Sequence, residues 1–418
     1  MALYGESTQK RCWTFTADAV RELRSSAREV VIHRVLSQLE AGSDAAAAVD
    51  GGDDRDRDVK MRHRESLDGN RCVVLEKVLT EREEMALRWT HEMRIMRICK
   101  AYNLPTVVGA TAITYFKRFY LRVSVMEFAP FVVALSSLYA ALKVEEINVD
   151  AAKLVEFVLE REQEFELPQL LQGSVPLSAD TILNAELTFL EQIDFHLICY
   201  LPYSSLRTAK KELEAFVKNA GACDKLWKAA YDVFNTSVLY SDLILLSTPG
   251  KIALALLWFC SCLPHVQEGL EDLDLNGAVR AFCRSTLERS SALSSAASMA
   301  EDALLAKEQE IERLVAAINT IDREDVGNRT SKEEAWRLEV KRYAIENKEN
   351  NPLSEQYQQM RSDEKTKLDH LRREKQKKQR EKRDHEFAEL LGAPAHSIPE
   401  ATGSVDMDIS VKKRKTLF

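Results

Sequence analysis

Catalytic centres leave recognisable groupings of residues, and this chain offers few. It has no Gly-rich phosphate loop, Walker lysine motif or His-Glu-x-x-His pair. It also lacks a Gly-x-Ser-x-Gly elbow and the signature set of a protein kinase. Its eight histidines do not gather with carboxylates or cysteines. The eight cysteines, at 12, 72, 99, 199, 223, 260, 262 and 283, form no Cys-x-x-Cys pair and read as free thiols of a reduced compartment. Cys260 and Cys262 lie close to His265, but residues two apart on a helix point to opposite sides, so they cannot share a metal there. No catalytic residue, metal or cofactor is expected. Two side chains point to binding chemistry instead. Lys143 ends a long apolar run, and Glu186 sits in the run NAELTFLEQIDFHL. A lysine has three donors and no acceptor, and a carboxylate only accepts. Between neighbouring helices the two types make an ion pair. Residue chemistry alone favours the internal pair.

The elements that position them are helices. Glycine and proline are scarce among 418 residues, and no regular apolar–polar alternation appears. The stretch Val107–Val149 organises the rest. Within it, Phe131 to Leu142 is apolar on nearly every face, so other helices must surround it. At that length, and interrupted by Ser136 and Ser137, it cannot span a bilayer, which needs about 20 apolar residues. A second run of the same kind, KIALALLWFCSCL from Lys251, follows Thr248-Pro249. The start MALYGESTQK has no apolar core to serve as a signal peptide. A net charge of −8 does not mark the whole chain as a nucleic-acid binder.

Amphipathic spacing predicts a helix over 17–39, with Val20, Leu23, Ala27, Val30, Val31, Val35 and Leu39 inward and Thr16 as N-cap. Residues 41–70 are rich in Gly, Ala, Asp and Arg and cannot bury enough surface to order themselves. From Thr80 to Tyr102 a helix resumes behind a Thr80–Glu83 capping box. Its stripe of Met85, Trp89, Met93, Met96 and Cys99 reads as core. Further helices are predicted over 149–164 and 178–196, with a loop from Pro168 to Pro176 between them. A second set is predicted near 203–220, 223–243, 249–263, 267–273 and from 276 onward. Leu304, Ile311, Leu314 and Ile318 mark another helix over 300–321. Residues 353–391 are helix-prone with almost no apolar stripe. Within them, 371–383 hold eight basic and two acidic residues. An exposed charged helix is the plainer reading of that run, with nucleic acid or an acidic partner as the alternative.

The run YFKRFYL, followed by SVME, a buried alanine-rich helix and KVEEINV, resembles the first box of the cyclins, and among them the cyclin H family. QKRCWTF near the start, FHLICYLPY and LLSTPGKIALA add to the likeness. Lys117 stands where cell-cycle cyclins carry an acidic residue, which favours the transcriptional cyclins. The run MALRW departs from the substrate-docking motif of cell-cycle cyclins, so that function is not carried over.

The resemblance implies an all-α fold of tandem five-helix cyclin boxes, with flanking N- and C-terminal helices and a long charged tail. The expected layout is an N-terminal segment and helix (1–40), a disordered insertion (41–79), boxes at 80–198 and 199–288, a C-terminal helix (289–328) packed back on the first box, and a tail (329–418). The tail is expected to be dispensable. The resemblance also implies that the chain is not an enzyme but the regulatory subunit of a cyclin-dependent kinase, holding the kinase's αC helix inward. Lys143 and Glu186 would grip the kinase, with Glu146, Phe116, Tyr120 and Trp13 as further contact residues. The implied partners are the catalytic subunit of the kinase that activates cyclin-dependent kinases, a RING-finger assembly factor and transcription factor IIH. No membrane is implied, and nucleic acid only through the basic tail. Lys412, Lys413, Arg414 and Lys415 resemble a nuclear import signal. The alternatives are a C-, K-, L- or T-type transcriptional cyclin, or a helical adaptor with cyclin folds and no kinase.

Overall fold

Apolar spacing dictates the layout from the N-terminus onward. A computed structural model describes residues 4–47, 73–167, 176–270, 273–292, 300–323 and 330–390. Among the described residues every regular element is helical. Residues up to Gln358 form one unit, and those from Gln359 onward form a second.

A short helix α1 (Thr8–Cys12) leads into α2 (Ala17–Ala47). Five helices follow: α3 (Glu81–Ala101), α4 (Thr106–Arg122), α5 (Pro130–Val144), α6 (Ala151–Glu160) and α7 (Ala179–Gln192). The Thr80–Glu83 capping box is formed in full at the start of α3. The central helix is α5, buried from Pro130 to Leu142 apart from half-buried Tyr139, and α3, α4 and α7 pack around it. Burying a large apolar side chain is worth about 1.5–3 kcal/mol, so this helix holds the set together. Ser137 is tolerated inside because its hydroxyl donates to the Ala134 carbonyl at 2.8 Å. Gly109 lets α3 and α4 approach: a Cβ there would lie 2.9 Å from the end of Met96.

The second set is built around α11 (Pro249–Ser261), which is packed by α8 (Pro202–Val217), α9 (Ala220–Thr236) and α13 (Leu275–Ala292). Between α9 and α11 lies the single turn α10 (Leu243–Leu246). The helix expected over 267–273 is instead a single turn, α12 (Pro264–Gln267), ended by Gly269 in the left-handed region.

Several expectations are corrected. Helix α14 (Ala300–Arg323) does not return to the first set. It packs on α11 and α13, because α11 is apolar all round and needs cover that Ile311, Leu314 and Ile318 supply. The helix that does return is α15 (Lys332–Ile345), which packs on α3. Residues 330–358 therefore belong to the folded unit and are not tail. Both ends of the stretch expected as a disordered insertion, 41–79, are ordered. Helix α2 runs on to Ala47, and Val74, Val78 and Leu79 are fully buried. Residues 48–72 lie outside the described residues, as does most of the loop from Pro168. Val30, expected to face inward, is 60% exposed, and Leu39 is also exposed. Residues 359–390 continue α16 (Glu355–Leu390), a helix of 36 residues.

Candidate functional site

Because α5 is buried to Leu142, Lys143 and Val144 are the first of its side chains to emerge, and both are exposed. The Lys143 ammonium reaches Glu186 of α7 at 2.5 Å and lies 4.3 Å from the Tyr139 ring centroid. The lysine side chain stays 48% exposed and the glutamate 19%. Lys143 also stands in the last turn of α5, where a cation faces the negative end of the helix dipole.

Both helices stop in the same way. Beyond α5 the Glu146 N–H donates to the Lys143 carbonyl and the Ile147 N–H to the Leu142 carbonyl, with Glu146 at φ 58°. Beyond α7 the Asp194 N–H donates to Glu191 and the Phe195 N–H to Leu190, with both residues left-handed. These are Schellman closures, normally made with glycine. Glu146 is thus an exposed helix stop, and Glu145, half-buried, accepts from the Thr111 hydroxyl at 2.9 Å.

Around the ion pair lie apolar side chains that sequence reasoning missed. Leu183 and Leu187 flank Glu186 on α7 at one-turn spacing and are both exposed, Leu187 by 55%. Val144, next to Lys143, is exposed as well, and so are Phe195 and Ile198 beyond the end of α7. Their signal was present in the sequence: apolar residues on α7 that are surplus to its buried Ile182 and Phe189. A charged pair with exposed Val144, Leu183 and Leu187 beside it suits a partner surface that is desolvated on contact.

Three expected contact residues do not reach a surface. Phe116 and Tyr120 are wholly buried, and the Tyr120 hydroxyl donates to the Phe128 carbonyl at 2.9 Å. They face the core because α4 is enclosed on nearly every side from Val108 to Leu121. Trp13 is 1% exposed. Its indole N–H donates to His196 Nδ1 at 3.0 Å, and the Arg118 and Arg122 guanidiniums lie 5.1 and 4.8 Å from its ring. Trp13 is a docking anchor for the N-terminal segment. Gln9 helps by bonding both the carbonyl and the N–H of Tyr200, at 3.0 and 2.5 Å. The Phe15 N–H donates to the Leu245 carbonyl at 2.9 Å. The segment thereby clips the connection between the two helical sets.

The polar face of α3 is buried too, which no periodicity foretold. Lys117 of α4 pairs with Glu92 at 2.8 Å and donates to the Tyr240 carbonyl at 3.2 Å, tying the first set to the second. Arg24 grips Asp242 through two bonds of 2.7 Å. Burial alone would raise the Asp242 carboxyl, but Arg24, with Lys117 and Arg88, holds it well below the carboxylate range. On the other flank, α15 seals His91. The Arg94 guanidinium, which only donates, reaches His91 Nδ1 at 2.8 Å, so Nδ1 is bare and Nε2–H donates to Glu339 at 2.7 Å. Burial first and the Arg94 charge second push the imidazole down to about 4. Arg342 bonds Glu339 at 2.8 Å and Glu346 at 2.6 Å. Arg34 bonds Glu127 at 2.7 Å, and the Asn347 N–H donates to the Met126 carbonyl at 3.1 Å. The face of α3 near MALRW is thus covered by the chain's own helix.

Among the described residues no group of three or more His, Cys, Asp or Glu side chains is placed to hold a metal. None of their helices is long and apolar enough to cross a membrane. Lys412, Lys413, Arg414 and Lys415 lie outside the described residues.

The fold and this face together define an all-α protein of tandem-box type, each box wrapped round one buried helix. The cyclin N-terminal domain profile matches residues 61–198. Cyclin-C1-1 of Oryza sativa subsp. japonica is 31% identical over 201 residues, 47% of this chain and 68% of that protein. Cyclin-H1-1 of Arabidopsis thaliana is 27% identical over 268 residues, 61% of this chain and 69% of that protein. A chain in the structure of the CAK complex from Chaetomium thermophilum bound to ATP-gamma-S shares the fold, with a TM-score of 0.57 and 17% identity, over 89% of this chain and 94% of that one. The chain belongs to the cyclin family.

Proposed function

We propose that this protein is a regulatory subunit that binds a cyclin-dependent kinase and shifts it to its active state without contributing chemistry of its own. The observation that carries the reading is the surface Lys143–Glu186 pair, its lysine exposed and its glutamate half-buried, beside exposed Val144, Leu183 and Leu187. In the free protein the two residues satisfy each other. On docking, Lys143 turns its donors to backbone carbonyls of the kinase, and Glu186 accepts from its N–H groups. Each such charge-assisted bond is worth about 1.5–3 kcal/mol. Glu146 borders the contact. Phe116, Tyr120 and Trp13 act through the core. Holding the αC helix inward lets its glutamate meet the catalytic lysine, which biases the kinase toward its active conformation.

The kinase is of the class that activates other cyclin-dependent kinases and phosphorylates the tail of RNA polymerase II, within transcription factor IIH and with a RING-finger assembly factor. The length of the match to cyclin-H1-1 supports this H-type reading. Nuclear action follows from it, with Lys412–Lys415 as the import signal. The match to cyclin-C1-1 favours a C-type reading as the second choice. Purification of the native protein followed by mass spectrometry separates them. Recovery of one kinase with a RING-finger subunit and transcription factor IIH components supports the first. Recovery of a different transcriptional kinase supports the second, and recovery of no kinase contradicts both.

A further inference from the structure

The unit from Gln359 onward carries a helix with an unusual charge arrangement, which the reading above does not use. From Gln359 to Phe387 the side chains of α16 are exposed, apart from half-buried Asp369. Arg361, Lys365, Arg372 and Arg383 are spaced by four, seven and eleven residues, so they fall along one side of a helix of 3.6 residues per turn. Arg373 and Arg380 flank them. Asp363, Glu374 and Glu381 are spaced by eleven and seven and run along the opposite side. Two carboxylates approach the basic stripe: Glu364 lies 3.2 Å from Arg361 and Asp369 lies 3.7 Å from Arg372. Lys377 lies 3.9 Å from Glu381 on the acidic side. The stripe from Arg361 to Arg383 extends for about 33 Å, roughly one turn of a nucleic-acid duplex at about 34 Å.

The class of partner follows from what the stripe lacks. Between Arg372 and Glu386 there is no apolar residue, and the exposed Leu368 and Leu371 are the only large apolar side chains between Arg361 and Arg383. A protein interface is centred on apolar and aromatic anchors, and a membrane-surface helix needs an apolar face. Binding to a phosphodiester backbone needs neither, because it is driven by neutralising phosphates and releasing counterions. With no aromatic side chain in the basic run, single-strand stacking is also unsupported. We infer that α16 is a sequence-independent binding element for the phosphate backbone of a nucleic-acid duplex. DNA and RNA duplexes share this phosphate chemistry, and the test below includes both.

The test is fluorescence anisotropy of labelled DNA and RNA duplexes of about two helical turns, titrated with the full-length protein across about 50–200 mM salt. The four basic side chains of the stripe and the two that flank it predict a log–log salt slope of about −5, or roughly a thousandfold loss of affinity across that range. The triple variant Arg372→Gln, Arg373→Gln, Arg380→Gln keeps good helix formers and should bring the slope to about −2 to −3. Kinase binding and the helical circular dichroism signal should be unchanged. Preference for one duplex identifies the source of the phosphates, and equal binding supports recognition of the shared backbone. Unaltered binding by the triple variant, or equal displacement of the duplex by polyglutamate, would overturn the inference.

Discussion

At the scale of single residues, the most informative side chain is one that the sequence presented as ordinary. His91 lies on α3 with nothing around it to mark it, yet the structure buries it fully between Arg94 and Glu339. Its folded value of about 4 lies below the ordinary 6.5, so the native state holds fewer protons than the unfolded chain. Its contribution to stability is complete above about pH 6.5 and is lost as pH falls toward 4, to a total of roughly 3 kcal/mol. Glu339, held low against its own burial by Arg342 and His91, adds a second loss that begins only below its ordinary value of 4.5. Urea unfolding across that range should therefore show a falling stability that flattens between pH 6.5 and 4 in His91→Gln. Equal slopes in both proteins would remove His91 from the account. A second residue-level prediction concerns Glu146, which sits at φ 58° where glycine is the usual choice. Glu146→Gly should stabilise the protein by about 1 kcal/mol in thermal unfolding; a loss of stability would show that its side chain is used within the fold.

At the scale of elements, the helices that bury one stripe or every face were readable from apolar spacing, and α5 and α11 stand where their composition places them. Helix α15 was not readable. Its buried face is made of Leu338, Glu339 and Arg342, and a charged helix reads as solvated unless the opposite charges waiting for it are known. Those charges, Arg94 facing Glu339 and Glu83 pairing with Lys341 at 2.9 Å, are remote in sequence. For the same reason, the folded unit reaches Gln358 and not the boundary expected near 329. A chain ending at Gln358 should keep the thermal transition of the full protein, whereas one ending at Arg323 should lose stability in the first box. Arg342→Ala, which strands Glu339 and Glu346 in the interior, should cost about 3–5 kcal/mol. Wild-type stability in that variant would contradict the seal described for α15.

At the scale of the whole molecule, internal tethers and the outward face are separate. Gln9, Lys117 and Arg24 reach Tyr200, Tyr240 and Asp242 of the second set from inside, and Trp13 anchors the N-terminal segment on His196 of the first. The face of Lys143, Glu186, Leu183 and Leu187 remains outward. The sequence supplied its charged pair through the family motif but not its apolar surround, because exposure of Leu183 and Leu187 depends on where α7 sits against α4 and α5. The pair itself, with its lysine about half exposed, stabilises the fold by about 1 kcal/mol. Its removal therefore tests binding without threatening folding. The most direct measurement is a calorimetric titration of the co-purifying kinase with the wild type and with the Glu186→Ala, Leu187→Ala double variant. The account predicts an unchanged melting temperature and an affinity lower by about a hundredfold; wild-type affinity in the double variant would contradict it.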